Sequence, residues 1–444
     1  MNKKRVLIVS YYFPPRPSIA SLRIRGLAKY LPEYGWSPVI LTAKLPAPPD
    51  ARYQVVQTDY PGSVTSCFKR KFHLSPNQGL QAQLGVSRAR QEVKGGGTLL
   101  TRFFEAAKEF IAYPDEEKEW LPFAVSEGHR LIENQTFHAL ISSAGPNTCH
   151  LIAEKLKAVS GLPWLADFRD LWTQNPYFTH SSLRIFFEKK LELKTLRKAD
   201  ALVTVSRPLA DQLQAFHRRE RVSMITNGFD PDDVVSSALT KEFSITYTGQ
   251  LYQGRRDPDI LFRAISELIT EGRMEAARIR IRFFGSVPYW LEQEIARHNL
   301  KEVVSLQSEA PHSVALTAQR ESQILLLLSW NHPDEEGVYT GKLFEYLAAR
   351  RPILALGGPG GVVAELLRET GAGIHIASLA DLKVLLCAEY QEFISQSSVS
   401  YQGDWNAVQR YSHREMANKF AKLLDDITGV AGHASVCSVP DVRV

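Results

Sequence analysis

The chain has 444 residues, 53 Lys and Arg against 48 Asp and Glu, and 44% hydrophobic content. That length exceeds one ordinary core and asks for two or three domains, while a net charge of +5 is too mild to argue for nucleic acid. Four scattered cysteines (Cys67, Cys149, Cys387, Cys437) have no metal-type spacing, and no stretch reaches the ~18–20 apolar residues of a membrane span.

The first fifteen residues imitate a secretory leader, with Lys3, Lys4 and Arg5 before an apolar run. The run stops at Pro14-Pro15 with no small-residue cleavage site, so RVLIVS (5–10) reads as a first strand and the protein as cytoplasmic. A helix is expected over 21–35, where Leu22, Leu27, Tyr30 and Leu31 share one side, and a strand follows at PVILT (38–42). Further strands are expected at 139–143, 164–168 and 201–206, with helices over 147–159 and 182–199. Strands apolar on both faces, alternating with amphipathic helices, imply a parallel sheet covered on both sides.

Residues 64–108 interrupt this alternation. They hold Lys69, Arg70, Lys71, Arg88, Arg90, Lys94, Arg102 and Lys108 against Glu92 and Glu105, a surplus of six cations, with Phe68, Phe72, Phe103 and Phe104 among them. The segment reads either as a solvated insertion or as a basic, aromatic-dotted surface for anionic lipid or an acidic acceptor on the inner face of the cell membrane.

The pattern pauses at ITNGFDPDDVVSS (225–237) and restarts with FSITYTG (243–249), a helix over 257–272, then RIRIRFFG, ILLLLSW and PILALGG. The expected architecture is α/β, with two doubly wound domains facing a central crevice: 1–235 and 236–404. A closing helix over 405–428 packs back across them, and 429–444 forms a flexible tail.

EGVYTGKLFEYLAARRPILALGGPGG (336–361) looks like a damaged phosphate loop. Only Val338, Tyr339 and Thr340 separate Gly337 from Gly341-Lys342, and Leu343 stands where a magnesium-holding hydroxyl belongs, which excludes a P-loop. Another arrangement fits. Thr340 caps a helix whose first turn is Gly341-Lys342-Leu343, and its unpaired amides suit a diphosphate. Lys342 adds a full charge, and Glu345, one turn deeper, suits the vicinal hydroxyls of a ribose. The alternative is an ordinary helix with both side chains solvated. YTGQLYQGRRDP (247–258) brings Gly249 and then Arg255 and Arg256 to the carboxyl end of a strand, although either arginine could instead flank the next helix. Base contacts are expected after Phe284, at Gly285, and around Glu309 to His312.

In this order the motifs YYFPPRPSIASLRIRGLAKYLPEYGWSPVILT, ISSAGPNTCHLIAEKLK, GLPWLADFRDLW, ITNGFD, YTGQLY and GKLFEYLAARRPILAL resemble the retaining glycosyltransferases of family 4, over residues 4 to 428. The branch that builds bacterial surface polysaccharides carries an Asp-x-Arg-Asp-x-Trp element like Asp167, Arg169, Asp170 and Trp172 here. The resemblance implies the GT-B fold of two Rossmann-like domains. It also implies a UDP- or GDP-sugar donor, a glycan or lipid-linked acceptor, and no metal or other cofactor. The family's phosphate clamp falls on Gly249, Gln250, Leu251 and Arg255. Its Arg is thus Gln250, a loss of charge for which Arg256 or Lys342 compensates. Its paired glutamates fall on Glu345 for the ribose and, with a one-residue displacement, on Glu336 for the donor sugar, with Glu335 next nearest.

The resemblance then gives Glu336, Arg255, Lys342, His150 and Asp170 as candidates for contact with the reacting groups. Gly249, Gln250, Arg255, Arg256, Gly285, Gly341, Lys342, Leu343 and Glu345 would bind the donor. Arg23, Asn147, His150, Asp167, Arg169 and Asp170 would meet the acceptor, although His150 could equally cover the core edge and Arg169 with Asp170 could form a structural ion pair; Asn227-Gly228-Phe229 matches a hinge-side element or is a plain turn between domains. Two other readings remain: a nucleotide-sugar 2-epimerase, and a binding subunit without catalysis.

Overall fold

The structure, a computed structural model, describes residues 3–64, 66, 111–175, 180–308, 311–358 and 360–429. Nearly all of the basic stretch 64–108, the tail beyond Gly429 and the pair Glu309-Ala310 lie outside the described residues.

In the first half the chain runs β1 (Lys4–Val9), α1 (Ile19–Tyr30), β2 (Trp36–Ala43), β3 (Val55–Thr58), α2 (Leu121–Asn134), β4 (Ala139–Ser143), α3 (Thr148–Ser160), β5 (Trp164–Phe168), α4 (Ser182–Leu196), β6 (Ala201–Thr204), α5 (Arg207–His217) and β7 (Ser223–Met224). These strands form one sheet in the order β3-β2-β1-β4-β5-β6-β7. β1 pairs in parallel with β2 on one side and β4 on the other. Val6 to Val9 are wholly buried, as strands covered on both faces must be. Serine side chains start three of the helices: Ser18, Ser181 and Ser206 accept from backbone amides in the first turns of α1, α4 and α5. The helix expected over 21–35 divides in two. Pro32 has no N–H for the α-helical ladder, so Leu31–Tyr34 tightens into a 3-10 turn and Gly35 ends it at φ +82°.

The second half continues with β8 (Phe243–Thr248), α6 (Asp259–Thr270), β9 (Ile279–Phe284), α7 (Tyr289–Arg297), β10 (Val304–Gln307), α8 (His312–Glu321), β11 (Ile324–Leu328), α9 (Gly341–Ala349), β12 (Ile353–Leu356), α10 (Gly361–Thr370), β13 (Gly373–Ile376), α11 (Leu379–Gln396), α12 (Trp405–Gln409) and α13 (His413–Ile427). Its sheet has the order β10-β9-β8-β11-β12-β13, with parallel pairings throughout. The sequence direction reverses between β8 and β11, the place where open α/β sheets bind ligands at their carboxyl ends.

The expected α/β class and two-sheet architecture are therefore met, but the domain limits move. The chain divides into two compact units, Met1–Val203 with Ala417 onward, and Thr204–Met416. The boundary expected after 235 falls instead at 203/204. Within the second unit the α5 cap Ser206 donates to the Gly337 carbonyl at 2.6 Å, and a Cβ on Gly337 would sit a tight 3.1 Å from Pro208 Cβ. The closing helix is broken at residues 410–412. There Phe229 N donates to Tyr411 O at 3.2 Å and His413 N to Phe229 O at 2.7 Å, a strand-like bridge that no continuous helix could make. The second division falls inside α13, between Met416 and Ala417. No helix among the described residues is long and apolar enough to cross a membrane.

Candidate functional site

At the β8/β11 reversal the carboxyl end of β8 meets the amino end of α9. Thr340 precedes α9 in extended conformation (φ −72°, ψ 140°) and its side chain makes no cap bond. The hydroxyl is buried and has no hydrogen-bond partner, with Thr340 only 8% exposed. Leu343 N donates to the Thr340 carbonyl at 3.1 Å, which leaves the unmatched hydroxyl beside the Gly341 and Lys342 amides as a set of donors awaiting an anion.

Lys342 lies in that first turn. Its Nζ donates to the Tyr247 hydroxyl at 2.7 Å and stands 4.0 Å from the ring centroid, while Tyr247 donates to the Gln250 carbonyl at 2.6 Å. Two glycines permit the approach. A Cβ on Gly249 would sit 2.9 Å from the Lys342 ammonium, and one on Gly285 would sit 2.5 Å from the Gly249 carbonyl. Both hold φ values of +122° and +131° that side-chain-bearing residues rarely adopt. Burial, reinforced by the Arg256 guanidinium and opposed by Glu345, brings the Lys342 pKa down to about 7.

Glu345 does not point into bulk water. It accepts from Gln319 Nε2 at 3.1 Å and faces His312 Nε2 at 2.9 Å, and the same Gln319 nitrogen reaches Thr248 Oγ1 at 3.0 Å. The carboxylate is thus tied to the end of β8 one turn below the helix tip. Leu343, by contrast, is fully buried in the core, so its side chain meets no ligand, and its amide is already paired with the Thr340 carbonyl.

The remaining expected residues scatter. Arg255 is exposed, with its guanidinium 4.5 Å from the Trp330 ring centroid, and Trp330 stacks on His332 at 4.3 Å. Arg256 is 3.8 Å from Glu335. Gln250 is exposed and accepts from the Tyr252 hydroxyl at 2.6 Å. Glu336 is exposed, and its carbonyl accepts from Val362 N at 2.9 Å in the first turn of α10. Glu335 is the buried carboxylate, and burial raises its pKa to about 7. Of the two glutamates, Glu335 is therefore the one beside the cation.

In the first unit, several residues expected at an acceptor are structural. Arg23 holds Asp167 through two bonds of 3.0 and 2.8 Å, both side chains essentially unexposed, and Ser143 donates to the same carboxylate at 2.9 Å. His150 is wholly buried on the sheet side of α3. Its Nδ1 is 2.7 Å from Ser142 Oγ, which also accepts from Trp164 Nε1, and its ring lies 4.6 Å from Phe168. No surface of His150 reaches solvent. Arg169 donates to the Ala144 and Gly145 carbonyls, fixing the turn before Asn147, while Asp170 is exposed. Trp172 is core, donating to Glu188 at 2.8 Å.

Sequence reasoning missed two features. Gln319 sits 26 positions before Glu345, and nothing local marks it. Asp115 accepts from Thr148 N and Oγ1 at 2.8 and 2.7 Å, capping α3, and Glu117 nearby is raised to about 7 by burial and then by Asp115. A carboxylate pair just after an interrupted stretch gave no readable signal.

Residues 98–233 match the family model for Glycosyltransferase Family 4. No curated protein matches the sequence. Among solved structures, a sucrose-phosphate synthase from Thermosynechococcus elongatus superposes with TM-score 0.61 at 14% identity, covering 97% of this chain and 100% of that one. HepE from Anabaena, in complex with UDP and glucose, gives 0.58 at 11%, covering 95% and 100%. The pneumococcal O-GlcNAc transferase GtfA, in complex with UDP and GlcNAc, gives 0.56 at 11%, covering 96% and 99%. The fold is GT-B, and the resemblance to the family 4 glycosyltransferases holds at the level of fold and of the matched segment.

Proposed function

We propose that the chain is a glycosyltransferase. It would take a sugar from a UDP- or GDP-sugar whose diphosphate lies at the tip of α9, and pass it to a hydroxyl of a glycan or lipid-linked acceptor in surface polysaccharide assembly. The bond from the anomeric carbon to the β-phosphate oxygen breaks, a bond from the acceptor oxygen forms on the same face, and the acceptor proton goes to the departing phosphate. Retention follows from that geometry. UDP in the solved relatives HepE and GtfA supports the nucleotide class.

The observation that carries the reading is the convergence at one helix terminus. A buried Thr340 hydroxyl lacks a partner, the Lys342 ammonium stands beside glycine backbone, and Glu345 is fixed one turn on by Gln319. Helix-tip amides with Lys342, Arg256 and Arg255 would stabilise the leaving diphosphate as charge develops on it. Those fixed cations supply the neutralisation a divalent ion gives elsewhere, so turnover should survive EDTA. Glu345 would take the ribose hydroxyls, and Glu335 replaces Glu336 as the carboxylate nearest the donor sugar.

The experiment is a melting-temperature shift with UDP and GDP, followed by a donor panel with a membrane fraction as acceptor, read as nucleoside diphosphate release. Stabilisation by either nucleotide and release with one donor are expected. No shift with either would remove the site. A shift without release from any donor would favour a non-catalytic nucleotide-sugar-binding subunit, for which the exposed Gln250 in a cation's position is the specific motive.

A further inference from the structure

The α4 helix, SLRIFFEKKLELKTL, carries charge and apolar surface in an uneven way. Leu183, Phe186, Phe187 and Leu193 are 57%, 51%, 43% and 40% exposed. Large apolar side chains gathered on one exposed helix face mark an interaction surface rather than ordinary scatter. At about 100° per residue, Leu183, Phe186, Phe187, Lys190, Leu193, Lys194 and Arg197 fall on one side of the helix. Lys189 flanks them, and Lys190 Nζ stands 4.3 Å from the Phe186 ring centroid.

Both acids of the helix point the other way. Glu188 is buried between Arg184 Nε at 2.7 Å and Trp172 Nε1 at 2.8 Å, and Glu192 is buried against Thr173, accepting from its N and Oγ1 at 3.1 and 2.6 Å. Every exposed charged side chain from 181 to 198 is therefore a cation. Lys198 is bonded to Glu154, and Lys189, Lys190 and Lys194 face outward. The helix is also firmly seated. Arg184 Nη2 donates to the Pro114 carbonyl at 2.9 Å and the Ala112 carbonyl at 3.2 Å, and Tyr113 donates to the Phe187 carbonyl at 3.2 Å.

We propose that this face of α4 is a docking surface for an anionic lipid bilayer, with Phe186, Phe187 and Leu183 entering the headgroup boundary and Lys189, Lys190 and Lys194 resting on lipid phosphates. Rings beside lysines match an interface that is apolar below and negative above. A second copy of the chain fits poorly. A two-fold contact would set the same three lysines against their own symmetry mates, with no exposed acid on the helix to neutralise them. The surface is independent of the sugar-transfer reading.

The test is co-sedimentation of the full chain with vesicles of phosphatidylglycerol and phosphatidylcholine, against phosphatidylcholine alone. Wild type should partition to the anionic vesicles and be released by salt. Lys189→Gln with Lys190→Gln and Lys194→Gln should weaken partitioning by roughly fivefold per cation removed. Phe186→Ser with Phe187→Ser should weaken it by at least about tenfold. Both variants should melt at the wild-type temperature, because the altered side chains are exposed. The inference is overturned if wild type ignores anionic vesicles, or if either variant partitions like wild type. It is equally overturned if binding is lost only on neutralising Lys69, Arg70 and Lys71. Sedimentation showing a dimer that the phenylalanine variant dissolves, with vesicle binding unaltered, would reassign the face to self-association.

Discussion

Lys342 offers a direct quantitative test of the phosphate site. In the unliganded chain its ammonium titrates near pH 7, because burial and the neighbouring Arg256 disfavour its charge more than Glu345 restores it. A bound diphosphate favours the charged form, so binding at or above neutrality must take up a proton. Above pH 7 the protonated fraction falls about tenfold per pH unit, and the Kd for UDP should rise by the same factor, ~1.4 kcal/mol per unit. Below pH 6.5 the profile should flatten. Calorimetry in two buffers of different ionisation enthalpy should register close to one proton taken up at about pH 8.5. Lys342→Met should remove this dependence and weaken binding at pH 6 by about 10- to 150-fold, the value of a charged hydrogen bond of ~1.5–3 kcal/mol. Lys342→Arg should flatten the profile while keeping the charge. Glu335 titrates in the same range and gains negative charge in the same direction, so the slope that survives in Glu335→Gln belongs to Lys342. The sign also appears in stability. A lysine of ordinary pKa in the unfolded chain binds a proton that the folded chain has lost, so apo stability rises with pH from about 7 to 10 through this group. Lys342→Met should then raise the apo melting temperature most at pH 6, where the folded chain carries the disfavoured charge. A wild-type Kd for UDP that stays constant from pH 7 to 9 would refute the reasoning.

Thr340→Val should separate binding from stability, because the buried hydroxyl has no partner without ligand. The apo melting temperature should rise, in line with an orphan cost of ~1–3 kcal/mol, while UDP affinity falls, and a fall in both would contradict the assignment. Arg23→Met leaves Asp167 buried with Ser143 as its remaining described side-chain donor, and should cost about 3–5 kcal/mol in urea unfolding of the first unit. Wild-type stability with lost acceptor binding would instead return Arg23 to the acceptor side. Gly285→Ala puts a Cβ 2.5 Å from the Gly249 carbonyl at φ +131°, so nucleotide binding should weaken together with a loss of about 1–3 kcal/mol in stability. An unchanged melting temperature and an unchanged UDP shift would mean the two glycines are not in contact.

Much of the frame was legible because parallel strands declare themselves. ALISS and WLADF were read at the limits the structure gives, since each is a buried run bounded by polar or turn residues. Likewise α9 starts at Gly341 behind Thr340, as expected, although the Thr340 hydroxyl makes no cap bond. What failed depended on contacts distant in sequence. The break at residues 410–412 is bridged by Phe229, and Ser206 reaches Gly337 across 131 positions. His150 lies on the core side because three residues of helix phase decide between rim and core, and motif position does not carry phase. Glu335 and Glu336 differ by one position. A single 3-10 turn over Pro333–Glu335 determines which is buried, and no local spacing encodes it. Gln319 became visible only once α8 and α9 were side by side.

The crossing inside α13 bears on how the protein is made. Asp425 supplies an acceptor for Trp36 Nε1 at 3.1 Å and for Lys4, and the ring centroid of wholly buried Phe420 lies 5.1 Å from the Arg23 guanidinium. The first unit thus takes its final partners from the last described helix to leave the ribosome. An amino-terminal half expressed alone would emerge with a raw apolar seam at Phe420's empty place. A nascent chain must keep that seam from aggregating until more than two hundred further residues have been translated.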